Sequence, residues 1–193
     1  MEEAGVGAGL LTVVADTTAS EDDNPCFTAA DGAYRGLENR LYRVEVHQGG
    51  KIAEGASVKW SRYNGAVAFN VREINVEHQI LTLARLGWDQ IVTLAANSWI
   101  ELISEEDEKA GRPGEMLQIS AGAGAVNVTQ RQVTLKKVNG TGSILEGYRS
   151  AIDADINVKV RLWDADAIAL SDDFDPATDT AELMLEDGIG IRI

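Results

Sequence analysis

The sequence predicts an all-β protein, built as a twisted antiparallel sheet unit with a small barrel-like β insertion. Two observations carry this. The apolar runs are short and alternate with a period of two, the spacing of a half-buried strand. They are separated by Asn-Gly and Gly-rich steps, and the 193 residues hold 19 glycines against 3 prolines, so turns are many and stiff linkers few.

Residues 1–33 contain no Lys or Arg and include SEDDNP, so they read as an extended amino-terminal arm with a short strand over Leu10–Val14. The main β domain is expected over 34–85 and 139–193, and the insertion over 86–138. In LYRVEVH, Leu41, Arg43, Glu45 and His47 share one face, and Tyr42, Val44 and Val46 the other. In ASVKWSR, Val58 and Trp60 oppose Ser57, Lys59 and Ser61. Asn64-Gly65 supplies the positive-φ pair of a type I′ turn, which predicts a hairpin over Val58–Val71.

Residues 73–86 fit two short strands better than a helix. QIVTL and SWIELI bracket Ala95-Ala96-Asn97 as a further pair, and Glu105–Lys109 reads as an acidic loop. MLQIS, VNVTQ and QVTLKKV complete the insertion, and Asn139-Gly140 makes a second turn. Ser143–Ala151 is open between loop and short helix. INVKVRLWD places Val158, Val160 and Leu162 inward. At the carboxyl end Ile189, Ile191 and Ile193 alternate with Gly190 and Arg192. That strand needs cover from elsewhere in the chain or from another molecule.

Charge excludes whole classes of function. Thirty-one acidic against 17 basic residues give a net charge of −14, which repels phosphate backbones and anionic membranes, so no nucleic acid is expected as partner. No stretch approaches the roughly eighteen apolar residues of a membrane span. A single cysteine, Cys26, cannot form an intrachain disulfide, and Glu2 and Glu3 stand where a signal peptide carries Lys or Arg. Cytoplasmic synthesis followed by incorporation into a particle or extracellular assembly is the expected setting.

No residue set points to catalysis, so the chain is not expected to be an enzyme. His47 and His78 are far apart and outside any catalytic motif, and acids beside Cys26 raise a thiol's pKa. No glycine pattern forms a phosphate loop, and no cofactor is expected. Asp164, Asp166, Asp172, Asp173 and Asp175 could offer oxygens to Ca²⁺, but EF-hand spacing is absent and no metal is expected. Among the four tryptophans, Trp99 and Trp163 fall out of phase with their apolar neighbours, as rings of a ligand platform would. Tyr34, Arg35, Glu38, Asn39 and Arg43 form a dense polar cluster, read as a structural network fixing the amino-terminal loop.

YRGLENRLYRVEVHQGG and ASVKWSRYNGAVAF resemble the signature stretches of a family of uncharacterised function associated with phage-tail-like contractile injection systems. The likeness continues through SWIELISEEDE, GRPGEMLQI, RLWDADAI and LEDGIGIRI, over residues 24–193. Tyr63 replaces the family's usual Asp, an extra amino-terminal segment is missing, and the family's glycine-rich strand beyond Ile193 is absent. The resemblance implies a fragment, a split protein or a shortened relative. It also implies a structural or adaptor subunit of such a particle, in contact with other particle subunits or copies of itself. The alternative is a carbohydrate-binding module that attaches to a surface glycan.

Overall fold

The computed structural model describes residues 10–15, 40–86, 94–178, 180–186 and 189–193. Tyr34, Arg35, Glu38, Asn39, Cys26 and Trp88 lie outside the described residues, as does most of the expected amino-terminal arm. The strands are β1 (Thr12–Ala15), β2 (Arg43–Gln48), β3 (Ser57–Ser61), β4 (Ala68–Asn75), β5 (Ile80–Leu83), β6 (Trp99–Ser104) and β7 (Glu115–Gln118). They continue with β8 (Val126–Asn127), β9 (Gln132–Thr134), β10 (Val158–Trp163), β11 (Ile168–Ala169), β12 (Phe174–Asp175), β13 (Thr180–Glu186) and β14 (Ile189–Arg192). Among the described residues two α-helices accompany them, α1 (Glu105–Ala110) and α2 (Thr141–Asp153). The protein is mostly β, with antiparallel sheets.

The chain divides into two compact units, one of residues 1–39, 49–57 and 169–193, the other of 40–48 and 58–168. This partition differs from the expected one, because β6 and β7 lie in one sheet with β4, β5 and β10. Residues 86–138 thus supply strands to a larger sheet.

In the first unit the strand order is β1-β14-β13-β12. Ala181, Leu183 and Leu185 are buried on β13 while Glu182 and Met184 face out, so period-two alternation decides the inner face. Ile191 pairs with Leu183 on one side and Val13 on the other. The carboxyl-terminal strand is therefore central, and the cover it needs comes from the chain's own β1. A Cβ at Gly190 would sit 2.9 Å from Met184 Sδ and 3.3 Å from Leu183 O, so a side chain there would require the exposed Met184 to move aside.

The second unit is organised by a seven-stranded sheet, β7-β6-β10-β4-β5-β9-β8, curled into a half-barrel. Its ends are bridged, since Lys136 N–H bonds Gln118 O at 2.8 Å and Ser120 N–H bonds Thr134 O at 2.9 Å. Such bridging shortens the exposed edge that an open sheet leaves. Leu81, Leu83, Ile100, Leu102, Ile119, Val133, Val158 and Val160 fill the interior, and α2 adds Leu145 to it, fully buried.

Three local expectations change. Asn64 and Gly65 do adopt left-handed φ of 55° and 59°, and Ala66 N–H bonds Tyr63 O at 3.0 Å, so the turn forms. The flanking strands nevertheless go to different sheets, β4 to the half-barrel and β3 to the sheet β11-β3-β2. The end of β10 enters between them: Leu162 N–H bonds Val67 O and Asp164 N–H bonds Trp60 O. A hairpin ladder needs those same carbonyls, so the turn becomes a connection between sheets.

Glu105–Lys109 is helical. Ser104 Oγ accepts the Asp107 N–H, four acids occupy the first turn where the helix dipole favours them, and left-handed Gly111 ends it. Asn139-Gly140 likewise opens α2, with Gly140 at its cap. Ala substitution measured by urea denaturation separates cap from core: Ser104→Ala should cost about 1 kcal/mol, and Leu145→Ala about 2–5 kcal/mol. A larger loss from the cap than from Leu145 would contradict this packing.

Candidate functional site

The motif residues meet in the second unit. Lys59 comes from KWSR on β3, Glu101 from SWIELI on β6, Gly114 from GRPGEML before β7, and Trp163 from RLWDADAI on β10. Glu101 is fully buried and Lys59 is 2% exposed. Lys59 Nζ lies 2.5 Å from Glu101 Oε1, which also accepts the Gly114 N–H at 2.9 Å. Trp163 donates its Nε1–H to Glu101 Oε2 at 2.9 Å. Glu45, on β2, brings a second carboxylate to 3.5 Å from Lys59 Nζ.

The backbone explains each placement. β6 is buried along nearly its whole length, on both faces, so even its polar residue lies inside. Arg161 stands opposite Glu101 and Trp163 opposite Trp99, which makes the Trp163 ring a diagonal neighbour of Glu101 on one sheet face. Lys59 reaches Glu101 from the other sheet, its Nζ 4.8 Å from the Trp163 ring centroid. Gly114 must lack a side chain, because a Cβ would fall 2.3 Å from Leu102 O. Its backbone can then approach Glu101 closely enough to donate.

A second tie runs beside the first. Arg62 pairs with Asp164 at 2.6 Å through its guanidinium, and its backbone N–H bonds the same carboxylate at 2.7 Å. The Arg62 guanidinium also lies 5.5 Å from the centre of the Trp60 ring, which Tyr42 flanks at 6.2 Å. Arg43, the described member of the expected polar cluster, is ion-paired with Glu45. Lys159 and Arg161 share Glu108, at 2.5 and 3.0 Å.

Burial on its own would push the Glu101 carboxyl up. The bonds from Lys59, Gly114 and Trp163 outweigh it and hold the group below its ordinary 4.5. His47 is lowered from 6.5, first by burial and then by Lys59, against the opposing pull of Glu101, Glu115 and Asp166. Burial raises the Tyr148 hydroxyl too. That ring borders a 330 Å³ groove between α1 and α2, with Glu106, Glu115, Ser143 and Gly147.

Several expectations move here. By period Lys59 shares the polar face of β3 with Ser57 and Ser61, opposite Val58 and Trp60, but all five residues of that strand are buried. Val46, on the face with Tyr42 and Val44, is 67% exposed, whereas Glu45 on the opposite face turns toward Lys59. Trp163 is 1% exposed and cannot serve as an open ring platform; Trp99 is half-buried. The five candidate calcium ligands are not gathered. Asp164 is taken by Arg62, Asp166 accepts the Ala167 N–H, and Asp175 accepts from Ala177 and Thr178. Among the described residues no group of three or more acid, His or Cys side chains could hold a metal ion. A cue to the true cluster was present: one Lys and one Glu, each inside an otherwise apolar strand, where an unpaired charge would be costly.

Residues 6–193 match the model of a family of unknown function, DUF6519, and the chain belongs to that family. Comparison with curated proteins and with solved structures gave no match.

The histidine provides a test of the electrostatics. A folded-state value below 6.5 means the unfolded chain binds the proton more readily, so stability should fall as pH drops from 6.5 and level off beneath the folded value. An NMR titration of the chain and of His47→Gln, which identifies the signal, should give His47 a midpoint under 6.5. A midpoint at or above 6.5 would contradict the buried setting.

Proposed function

We propose, for this member of a family whose function is unknown, that the chain is a structural or adaptor subunit of a phage-tail-like or contractile injection particle, acting through protein–protein contacts. The observation that carries the reading is the convergence of the motifs. The most distinctive side chains of KWSR, SWIELI and RLWDADAI are bonded to one another: Lys59 and Trp163 to Glu101, and Arg62 to Asp164. Residues spent in this way specify an architecture. The resemblance rests on the same motifs.

The surface supports contact with other proteins. Val13 on edge strand β1 is 69% exposed, with Leu10 and Leu11 beside it. Val46 on β2, an edge strand of its own sheet, is similarly open. Short edges with apolar side chains suit partners that add main-chain hydrogen bonds. In this reading the chain is made in the cytoplasm and then becomes part of a particle or extracellular assembly. The glycan-binding alternative loses one of its two rings with Trp163 buried, and no observation favours it.

Affinity purification of the tagged chain from cells that make the particle decides between them. Sheath, tube or baseplate proteins should copurify in fixed ratio. Retention on a glycan array with quenched Trp99 fluorescence, and no particle protein in the eluate, would replace this reading with the alternative.

A further inference from the structure

The Lys59–Glu101 pair has the composition of a reaction site as well as of an ion pair. Both groups are inside, 2% and 0% exposed, where water neither hydrates them nor hydrolyses a product. Lys59 Nζ is 2.5 Å from Glu101 Oε1; adding a carbonyl bond of about 1.23 Å, the carboxyl carbon is at most about 3.7 Å from the nitrogen. That borders the separation of roughly 3–3.5 Å at which fixed reactants combine with very high effective molarity. Gly114 N–H and Trp163 Nε1–H each donate to a different carboxyl oxygen, so negative charge on either oxygen of a tetrahedral intermediate would meet a donor already in place. Glu45 Oε2, 3.5 Å from Nζ, is a base within short reach of the same nitrogen.

We infer that Lys59 and Glu101 condense within the folded chain to an intramolecular amide, an isopeptide crosslink joining β3 to β6. Glu45 takes one proton from the ammonium of Lys59 and passes it to the Glu101 carboxylate, giving a neutral amine and a neutral acid. Nζ attacks the Glu101 Cδ, and the Nζ–Cδ bond forms. Glu45 then takes a second proton from that nitrogen and gives it to the departing oxygen as one Cδ–Oε bond breaks and water leaves. Of the three ammonium protons one stays on the amide nitrogen and two leave with that oxygen as water, so charge and atoms balance without an added reactant. The resting state is the ion pair, because the bonds to Glu101 favour its carboxylate. The reaction needs only one event per chain, so a sparsely populated neutral form is sufficient. Exposed pairs such as Lys51–Glu54 and Lys109–Glu105 lack the dry setting and the fixed donors, and they remain free amines and acids.

This inference stands apart from the proposed particle role: it concerns one covalent bond and is read on the isolated chain. Intact mass is measured under denaturing conditions after the purified full chain has been incubated folded. The mass should fall short of the sequence by one water. Trypsin should then yield a branched peptide joining residues 52–62 to 86–109, uncut after Lys59. Chain kept in denaturant from synthesis should retain its full mass, as should Lys59→Met. Glu45→Gln should slow the loss by roughly a hundredfold or more. Full sequence mass in the folded chain with tryptic cleavage after Lys59 would overturn the inference. So would a water loss mapped to the Asp187-Gly188 step, where a succinimide forms, and neither result depends on any variant folding.

Discussion

Everything in the second unit is arranged around one buried charge. A carboxylate with no exposure cannot persist without compensation, since desolvation in a protein interior costs several kcal/mol even after relaxation. Glu101 is compensated by three donors from three places in the chain: Lys59 on β3, the backbone of Gly114 before β7, and Trp163 on β10. Each donor imposes a condition of its own. Lys59 fixes the three-stranded sheet against the half-barrel, Gly114 forbids a side chain at the start of β7, and Trp163 must turn its indole nitrogen inward. The apolar core supplies most of the driving force for collapse, but aliphatic contacts are non-directional. The charged cluster is directional, and its bonds tie β3, the start of β7 and β10 to one carboxylate on β6.

Strand positions were legible from residue patterns because alternation reports one buried face. β13 follows that rule, with Ala181, Leu183 and Leu185 inside and Glu182 and Met184 outside. The rule fails where a strand is covered on both faces, as β3 and β6 are. There Ser57, Lys59, Ser61 and Glu101 look like solvent residues by period yet lie inside, and Trp163 looks exposed yet is enclosed. The Asn64-Gly65 turn shows a second limit. Local chemistry set its φ angles, but which strands paired across it was decided by the end of β10, nearly a hundred residues away in sequence. The acidic run at 105–108 carries no apolar period to mark a helix, yet its charges complement a helix amino terminus capped by Ser104.

The same cluster connects fold to proposed role. Motifs that would be scattered over a binding surface in a ligand-reading module are instead gathered inside, where they hold two sheets together. A subunit of a particle that transmits force benefits from such an internal tie, and a covalent version of it would resist unfolding further. Contacts with neighbours would then fall to the edges, where β1 and β2 carry exposed apolar side chains.

The most direct measurement of the central claim is a double-mutant cycle on Lys59 and Glu101, using Lys59→Met, Glu101→Leu and both together, read by chemical denaturation. If the two groups act as one unit, each single change should cost about 3–5 kcal/mol by stranding its buried partner, and the double change should cost no more than either single one. Costs that simply add, or single variants within about 0.5 kcal/mol of the parent, would show that the pair does not hold the sheets in register.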